Sequence, residues 1–507
     1  MEDEIAEVAR GSVYILAMNI AGILVSVISF KFMTVYLALQ EMGVWTVMNM
    51  VLGIASLLML VISTPVKFIS QAIGAGEDPA AVASSVVLGR AAIGLMTGLF
   101  YAILSAWLSV VLLGTSDYAF VFQLLGIDVV FLALKTTLSV CLMGLNKPRE
   151  YSISGYINAL SRPLCVILFL LLGYGLHGLL LAWIISDVIG CAYPVLVLLS
   201  GKYLKRISFK EARDMLSEMA KFSIPILITS AISFATAWFD KVMILSQRDL
   251  EGLGVYNVAL TARNVLLSLP TSVAMAISPY YGMKFGGGEH EDVRRTTKAM
   301  SKYLGLLFIP ASLGLAALSR SVLLVFCGEE YARYHELMAL ISVMGVSSMI
   351  SLLLIRYLVT YEKTLAYMLA GSSSTIMGVV LALALMPDLG LLGVALAKGT
   401  SSILLATLCV LATRKELKLA WGPIFKCLLA GAVMASLVYF VQLHYSALVL
   451  LPLHILFGML IYGLIIKLLG VLDEQDIRAI ASILPGSLKG LFIKLGMFFS
   501  KRNPPSN

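Results

Sequence analysis

Eleven charged side chains lie inside the long apolar runs of this chain, and their positions are the first chemical signal in the sequence. Eight are lysine or arginine and three are aspartate. If such a run crosses a bilayer, a charge at its centre costs about 2.5–3.5 kcal/mol on insertion scales, so it usually faces a cavity or a partner. The basic excess favours an anionic ligand such as a phosphate group. The residues are Lys31, Arg90, Asp128, Lys135, Arg162, Asp187, Asp240, Lys241, Arg263, Arg356 and Lys398.

Arg263 is the best single candidate for binding a phosphate, because one guanidinium group can bond two oxygens at once. We also predict substrate contacts for Lys241, Lys31, Arg90 and Arg356. Simpler interpretations stay open beside this one. Lys31 and Lys241 can instead reach the outer interface, Arg90 can extend from a helix end to the head groups, and Arg356 is ambiguous.

The buried carboxylates are candidates for coupling transport to an ion such as Na⁺ or H⁺. We predict this role for Asp240 and Asp128. The alternative for Asp240 is a structural ion pair with Lys241, Arg263 or another base. The alternative for Asp128 is a salt bridge inside one half of the protein, and the same interpretation applies to Lys135, Arg162, Asp187 and Lys398.

Motifs for catalysis or cofactor binding do not occur in the sequence. It has no Gly-x-x-x-x-Gly-Lys-Ser/Thr phosphate loop, and its five histidines are scattered without metal-ligand spacing. Its six cysteines lie singly in apolar runs, as small packing residues do. We therefore expect no catalytic residue, no metal and no cofactor, and a protein that is not an enzyme.

The composition indicates a membrane protein. Of 507 residues, 60% are hydrophobic and 13% are charged, and the mean hydropathy is +0.94. A soluble domain is about half apolar and about a quarter charged. The N-terminus MEDEIAEVAR has no basic stretch ahead of an apolar one, so no cleavable signal peptide is expected.

Apolar runs of about 20 residues predict an all-α, polytopic membrane protein with about fourteen transmembrane helices. Closed β-barrels are excluded, because the runs are continuous and do not alternate. The predicted spans are 12–36, 43–66, 84–112, 118–143, 152–172, 177–200, 222–246, 253–281, 302–326, 335–359, 364–386, 389–412, 423–443 and 447–469.

Lysine and arginine in alternate loops predict that both termini are cytoplasmic, in a multi-pass protein of the cell membrane. This bias also explains the net charge of +8, so no nucleic-acid partner is expected. The basic residues of the predicted inner connections include Lys147, Arg149, Lys202, Lys205, Arg206, Lys284, Arg294, Arg295, Lys298, Arg414, Lys415 and Lys418.

An internal repeat organises the chain. Gly43-Val44-Trp45 opens the second predicted helix and Gly254-Val255-Tyr256 opens the eighth. Glycine pairs that open the sixth and twelfth helices, at Gly175 and Gly390, keep a similar offset of 211–215 residues. Because the repeat unit has six helices, an even number, both copies start on the cytoplasmic side and run parallel.

The repeat predicts four segments. Residues 1–215 form an N-terminal six-helix half and residues 216–415 form a C-terminal six-helix half. Two additional transmembrane helices follow in 416–470. Residues 471–507 form an amphipathic tail on the cytoplasmic surface, with apolar positions at helical spacing and lysines between them.

These features resemble the polysaccharide-transporter branch of the multidrug/oligosaccharidyl-lipid/polysaccharide exporter superfamily, which includes the O-antigen flippases. The resemblance covers nearly the whole chain. It rests on two six-helix repeats with two trailing helices and on three segments. They are Phe239-Asp240-Lys241, Gly254-Val255-Tyr256 and Gly390-Leu391-Leu392-Gly393-Val394-Ala395.

The resemblance implies a transporter with a central cationic cavity that alternates between inward-facing and outward-facing states. It implies that the cavity is lined by Lys31, Asp240, Lys241 and Arg263, and that the cargo is an anionic lipid-linked glycan. Membrane lipids would be further partners, and we expect a monomer. Two alternatives remain, a cation-coupled multidrug antiporter of the same superfamily and a membrane glycosyltransferase or polymerase.

Overall fold

The computed structural model is helical along most of the residues that it describes, and this part of the chain contains no strand. Residues 1–11, the first half of the predicted span 12–36 and nearly all of the predicted tail lie outside the described residues. The description covers 25–472 except 63–64, 75, 248, 287–289, 362 and 446–449.

Contacts divide the chain into two compact units, Met1–Val255 and Tyr256–Asn507. The helices of the first unit are α1 (Val25–Tyr36), α2 (Leu39–Met59, continued by a 3₁₀ turn, Leu60–Ile62), α3 (Pro65–Gly74), α4 (Pro79–Ile103), α5 (Ser105–Leu113), α6 (Ala119–Gly144), α7 (Pro148–Leu171), α8 (Gly175–Ser200) and α9 (Phe209–Ser246). Helix α10 (Leu250–Gly286) starts in this unit and continues into the second. The predicted boundary after residue 215 stays a prediction.

The second unit holds most of α10 and all of the helices that follow it. They are α11 (His290–Ala317), α12 (Ser319–Phe326), α13 (Glu329–Ala332), α14 (His335–Gly345), α15 (Ser348–Thr360), α16 (Thr364–Thr413), α17 (Trp421–His444) and α18 (Leu451–Leu468). Helix α16 is two helices joined at Gly390, whose φ of 54° breaks the helical path. A glycine adopts this φ readily because it has no Cβ.

Nine helices among the described residues are long and apolar enough to cross a membrane, or ten if the bent pair α14 and α15 is one span. Every predicted span overlaps a helix. Two predicted spans fall within α16, on either side of its break. The all-α, polytopic membrane fold is therefore confirmed, while the number fourteen stays a prediction.

Local sequence explains where several helices begin. Asp78 caps α4 by accepting a hydrogen bond from the backbone N–H of Ala80 at 2.9 Å, and Pro79 fits the first helical position because it has no N–H to satisfy. Ser208 and Glu211 form a reciprocal capping box at the start of α9.

Small residues allow the helices of the first unit to pack closely. A Cβ added to Gly98 of α4 would lie 2.4 Å from the carbonyl oxygen of Gly126 in α6. A Cβ at Gly126 would lie 2.5 Å from the carbonyl oxygen of Gly98. Such contacts between glycines let two backbones approach inside a membrane, where dispersion replaces the hydrophobic effect as the main driving force.

The two units fasten their loops in matching ways. In the first, the backbone N–H of Lys205 donates to Ser84 Oγ at 2.9 Å. In the second, the backbone N–H of Ala420 donates to Ser301 Oγ at 3.0 Å. The two donors, Lys205 and Ala420, are 215 positions apart, and the two acceptors, Ser84 and Ser301, are 217 positions apart. Both separations are close to the offset of the sequence landmarks. This similarity supports the predicted repeat.

The landmark glycines themselves lie at a close helix contact in the first unit. A Cβ on Gly43 of α2 would lie 1.9 Å from the carbonyl oxygen of Leu250, and one on Gly254 of α10 would lie 2.4 Å from the carbonyl oxygen of Leu39. The two helix starts therefore meet backbone to backbone. This approach explains why both GV-aromatic segments begin with glycine.

Candidate functional site

Arg263 lies on α10 within the second unit, beside the break between α14 and α15. Its Nη2 donates to Ser348 Oγ at 2.7 Å. The side chain is half-buried. Because Ser348 is the first residue of α15, the guanidinium group is held at the point where two helices of one apolar segment meet at 41°.

Gly345, the last residue of α14, makes room for this arginine. A Cβ at position 345 would lie 2.6 Å from Arg263 Nε, so any larger residue would have to displace the guanidinium group. A glycine at the helix end and a serine at the next helix start together fix where the positive charge lies. Sequence reasoning selected Arg263 but neither of these two positioning residues.

Arg356 is the second cation beside this segment. It lies on α15 eight residues after Ser348, about 12 Å further along the helix axis at a rise of about 1.5 Å per residue. Its side chain is half-buried, and it makes no hydrogen bond or ion pair with another residue that the structure describes. Two guanidinium groups, that of Arg263 from α10 and that of Arg356 from α15 itself, therefore lie beside α15.

Asp240 and Lys241 lie near the end of α9 in the first unit. Asp240 is fully buried. Lys241 is half-buried, and its Nζ lies 4.1 Å from the ring centroid of Trp238, three residues earlier on the same helix. An ammonium group over an indole face is attracted to the ring electrons, so part of the Lys241 charge is stabilised locally.

Lys31 and Arg90 have opposite surroundings. Lys31, near the end of α1, is exposed. Arg90 is 7% exposed, and its Nε and Nη2 both donate to the carbonyl oxygen of Ile62, at 3.1 and 2.8 Å. Ile62 ends the 3₁₀ turn after α2, so Arg90 satisfies a carbonyl that the helix itself leaves unbonded. This geometry favours a structural role for Arg90, and its predicted contact with substrate stays a prediction.

A buried ion cluster lies inside the first unit. Asp187 Oδ1 accepts from Lys135 Nζ at 2.5 Å and from Arg162 Nη2 at 3.1 Å. The Arg162 guanidinium also lies 4.9 Å from the ring centroid of Trp183. These three charges on α6, α7 and α8 therefore serve as a salt bridge that joins helices.

Asp128 belongs to the same polar region but is bonded differently. It is 0% exposed, and neither of its carboxylate oxygens accepts a hydrogen bond from a residue that the structure describes. It interacts electrostatically with Arg162, Asp187 and Lys135. A buried carboxylate without hydrogen bonds is costly to leave charged, so this group is suited to accepting a proton or a small cation.

No group of three or more histidine, cysteine, aspartate or glutamate side chains comes together in the described part of the chain.

Comparison with known proteins places this arrangement in a family. Residues 37–336, more than half of the chain, match the family described as polysaccharide biosynthesis protein. The chain belongs to that family. The resemblance that the sequence predicted is confirmed at the level of this family.

A curated relative of this family member is the "Probable low-salt glycan biosynthesis flippase Agl15" of Haloferax volcanii. The two are 21% identical over 286 residues, which is 56% of this chain and 60% of the relative. The chain thus spans about 60% of the length of the curated relative that it matches.

Solved structures share the fold. The lipid II flippase MurJ in an inward closed conformation matches with a TM-score of 0.68 and 15% identity, over 91% of this chain and 98% of MurJ. An inward-facing multidrug resistance MATE family transporter matches with a TM-score of 0.63 and 16% identity, over 78% of this chain and 93% of that transporter. At these identities the likeness concerns the fold alone.

Proposed function

We propose that this family member moves a polyprenyl-phosphate- or pyrophosphate-linked oligosaccharide from the cytoplasmic leaflet of the cell membrane to the outer one, by alternating access. Membership in the polysaccharide biosynthesis protein family supports the glycan. The superfamily fold supports transport, and the curated relative is described as a flippase.

The position of Arg263 is the observation that carries the proposal. A guanidinium group kept within an apolar bundle by Ser348, and given space by Gly345, is arranged to bind an anion. Bidentate bonds between arginine and phosphate are among the strongest hydrogen bonds in proteins. Arg356 supplies a second positive charge about 12 Å further along α15, the helix that Arg263 contacts through Ser348.

The proposed mechanism follows from the cost of moving a hydrated phosphate and its sugars through an apolar membrane. A phosphate and its sugars are strongly hydrated, whereas the polyprenyl tail is apolar and can stay in lipid throughout. Positive side chains at membrane depth offset the desolvation of the phosphate as it crosses. The sugars would be bound by hydrogen bonds, for which hydroxyl groups such as that of Ser348 are suited.

An ion gradient would give the cycle its direction. Asp128 and Asp240 are the candidate coupling residues, and Asp128 is the better supported because both of its oxygens lack a hydrogen bond within the described residues. If Asp128 exchanges a proton or Na⁺, Asp128→Asn will make transport independent of the gradient while leaving glycan binding intact.

Transport of a fluorescent lipid-linked oligosaccharide in proteoliposomes tests the proposal. The readout is the fraction of dye that a membrane-impermeant reductant can reach over time. Arg263→Ala is expected to slow transport about 10- to 100-fold, the size expected for losing charge-assisted hydrogen bonds, and Arg263→Lys less. Ser348→Ala, which removes the positioning contact, is expected to slow it only a few-fold.

The matched control is Arg320→Ala. Arg320 is 57% exposed at the start of α12 and pairs with Glu329 at 3.6 Å, so its loss should leave transport unchanged. Full activity of both Arg263→Ala and Lys241→Ala would refute binding of the phosphate by these cations. Exchange of an organic cation for Na⁺ or H⁺, with no movement of the glycan, would support the antiporter instead.

A further inference from the structure

A basic cavity of about 260 Å³ lies in the second unit, away from Arg263. It forms where the start of α11, the end of α15 and the two ends of α16 come together. Its lining residues are Arg294, Tyr357, Tyr361, Lys363, Lys415, Glu416 and Leu417. The proposed transport function uses none of them.

The single carboxylate of this cavity is already neutralised. Glu416 Oε1 accepts from Lys363 Nζ, and Glu416 Oε2 accepts from the hydroxyl of Tyr357 at 2.9 Å. The backbone oxygen of Glu416 accepts from Arg294 Nε at 2.9 Å. The contacts of Glu416 therefore hold the loop after α16 against α11 and α15 and set the shape of the cavity.

Two cationic groups remain available for an anion. Lys415 is exposed and makes no hydrogen bond or ion pair with any residue that the structure describes. Arg294 bonds Glu416 through Nε and the exposed Glu291 through Nη1 at 3.1 Å, and its Nη2 has no partner among the described residues. With three basic side chains and one engaged carboxylate, the cavity has a net positive charge.

One side of the cavity is formed by the packed aromatic rings of Tyr357 and Tyr361. The rings of Tyr357 and Tyr361 stack with centroids 4.2 Å apart, and Tyr281 packs edge-on against Tyr357 at 6.1 Å. Tyr281 is itself hydrogen-bonded to Thr297 at 2.6 Å. Because these rings are already packed against one another, binding a compact anionic group above them would cost little further ordering of side chains.

The surroundings favour a lipid as the source of that group. Arg294 and Lys415 belong to connections predicted to lie on the cytoplasmic side, and Lys363 is bonded to Glu416 beside them. Helix α16 begins directly after Lys363 and carries the exposed apolar residues Leu365 and Met368, which suit acyl chains. Basic pockets beside transmembrane helices on that side of a membrane bind phosphate head groups.

We propose that this cavity is a phosphate-binding site for the head group of an anionic membrane lipid. Arg294 Nη2 and Lys415 Nζ bind the phosphate oxygens, and Lys363 is shared between the phosphate and Glu416. The site is separate from the proposed transport of glycan, so either proposal can fail without the other.

The test measures how phosphate compounds shift the thermal unfolding of the full-length protein in a neutral detergent at constant ionic strength. The probes are dioctanoylphosphatidylglycerol, dioctanoylphosphatidylcholine and inorganic phosphate. We expect phosphatidylglycerol to raise the unfolding midpoint and phosphatidylcholine to have a much smaller effect. An equal shift with inorganic phosphate would assign the site to a free phosphate group instead of a lipid, and the shared chemistry would stand.

Three variants and a control make the assignment specific. Lys415→Gln should weaken the apparent affinity for phosphatidylglycerol about threefold and Arg294→Gln about tenfold, as expected for exposed and charge-assisted contacts. Glu416→Gln should tighten it, because the substitution removes the negative charge that pairs with Lys363 and so raises the net charge of the cavity by one. Lys418→Gln, an exposed lysine that does not line the cavity, should change nothing.

The same variants also show which results would contradict the proposed lipid site. Unchanged affinity in both Lys415→Gln and Arg294→Gln, or an equal loss in Lys418→Gln, would overturn the proposal. So would the absence of a shift with every phosphate compound. The exposed Lys415→Gln substitution removes no packing, so its result can be interpreted even if Arg294→Gln folds poorly.

Discussion

The two units fasten their loops alike but bury different charges. Each ties the loop after its last repeat helix to a serine, at Ser84 in the first unit and at Ser301 in the second. In the first unit, Lys147 lies 5.1 Å from the ring centroid of Tyr203. In the second, Lys363, 216 positions later, pairs with Glu416 instead.

The buried charges differ more than these fastenings do. In the first unit, Asp187 accepts from both Lys135 and Arg162 and so joins three helices. In the second unit, Arg263 donates to the hydroxyl of Ser348 at the start of α15. The serine contacts of the loops are thus shared by the two units, whereas the charged side chains are arranged differently.

The largest expected effect comes from breaking the ion cluster of the first unit. Asp187→Asn leaves Lys135 and Arg162 without their shared carboxylate, at a cost of about 3 kcal/mol in the free energy of unfolding. Denaturant titration in mixed micelles measures it. Asp214→Asn is the matched control, since Asp214 forms an exposed pair with Arg213 and should change stability by less than about 0.5 kcal/mol.

Asp128→Asn tests whether a neighbouring buried carboxylate matters as much for stability as Asp187 does. Because Asp128 has no hydrogen bond from a described residue, its substitution should cost less than about 1 kcal/mol or even stabilise the protein. Equal losses for Asp187→Asn and Asp128→Asn would contradict the view that Asp187 alone joins the helices.

The next largest effect is expected at the landmark glycines. Gly43→Ala and Gly254→Ala each place a Cβ against a backbone carbonyl, at 1.9 and 2.4 Å in the present geometry, and should cost about 1–3 kcal/mol through overpacking. Gly371→Ala is the control. No atom lies within 4 Å of the Cβ it would add in α16, so it should stabilise by up to about 1 kcal/mol.

A neutral result at Gly43 and Gly254 would mean that the two helix starts can separate without loss of stability. Close helix contact would then not explain why glycine occurs at both positions of the repeat. The same unfolding assay decides between these outcomes.

The sequence was sufficient for the class of fold and for the location of its helices, because long apolar runs without alternation permit few other structures. It also predicted from residue type and depth that Arg263 contacts the substrate, and this stays a prediction. It could not identify the contacts of Gly345 and Ser348 with Arg263, because these contacts depend on the break between α14 and α15, which no local sequence pattern predicts. Nor could it show that Arg90 bonds a carbonyl 28 positions away, and the predicted contact of Arg90 with substrate stays a prediction.

A smaller loss of stability is expected when the serine contacts of the two loops are removed. Ser301→Ala leaves the buried N–H of Ala420 without its acceptor and should cost about 1–2 kcal/mol. Ser84→Ala should cost about 1 kcal/mol or less, because the N–H of Lys205 is only partly buried. Ser436→Ala, an exposed helical serine, is the control with no expected loss. A reversed order would show that the two loops are not fastened equivalently.

The smallest expected effect concerns a surface pair of the first unit. Lys205 Nζ lies 2.5 Å from Asp78 Oδ2, and this bond, together with the backbone N–H of Ala80, holds the pKa of Asp78 below its ordinary value of 3.8. A carboxylate whose pKa is lowered by folding stabilises the protein above that ordinary value and loses this contribution as the pH falls through the folded pKa. Asp78→Asn should therefore be slightly less stable than the parent at neutral pH and equal to it below the folded pKa. Because both side chains are about half exposed, salt should reduce the difference, and a difference that is unaffected by both pH and salt would assign it to capping of α4 alone.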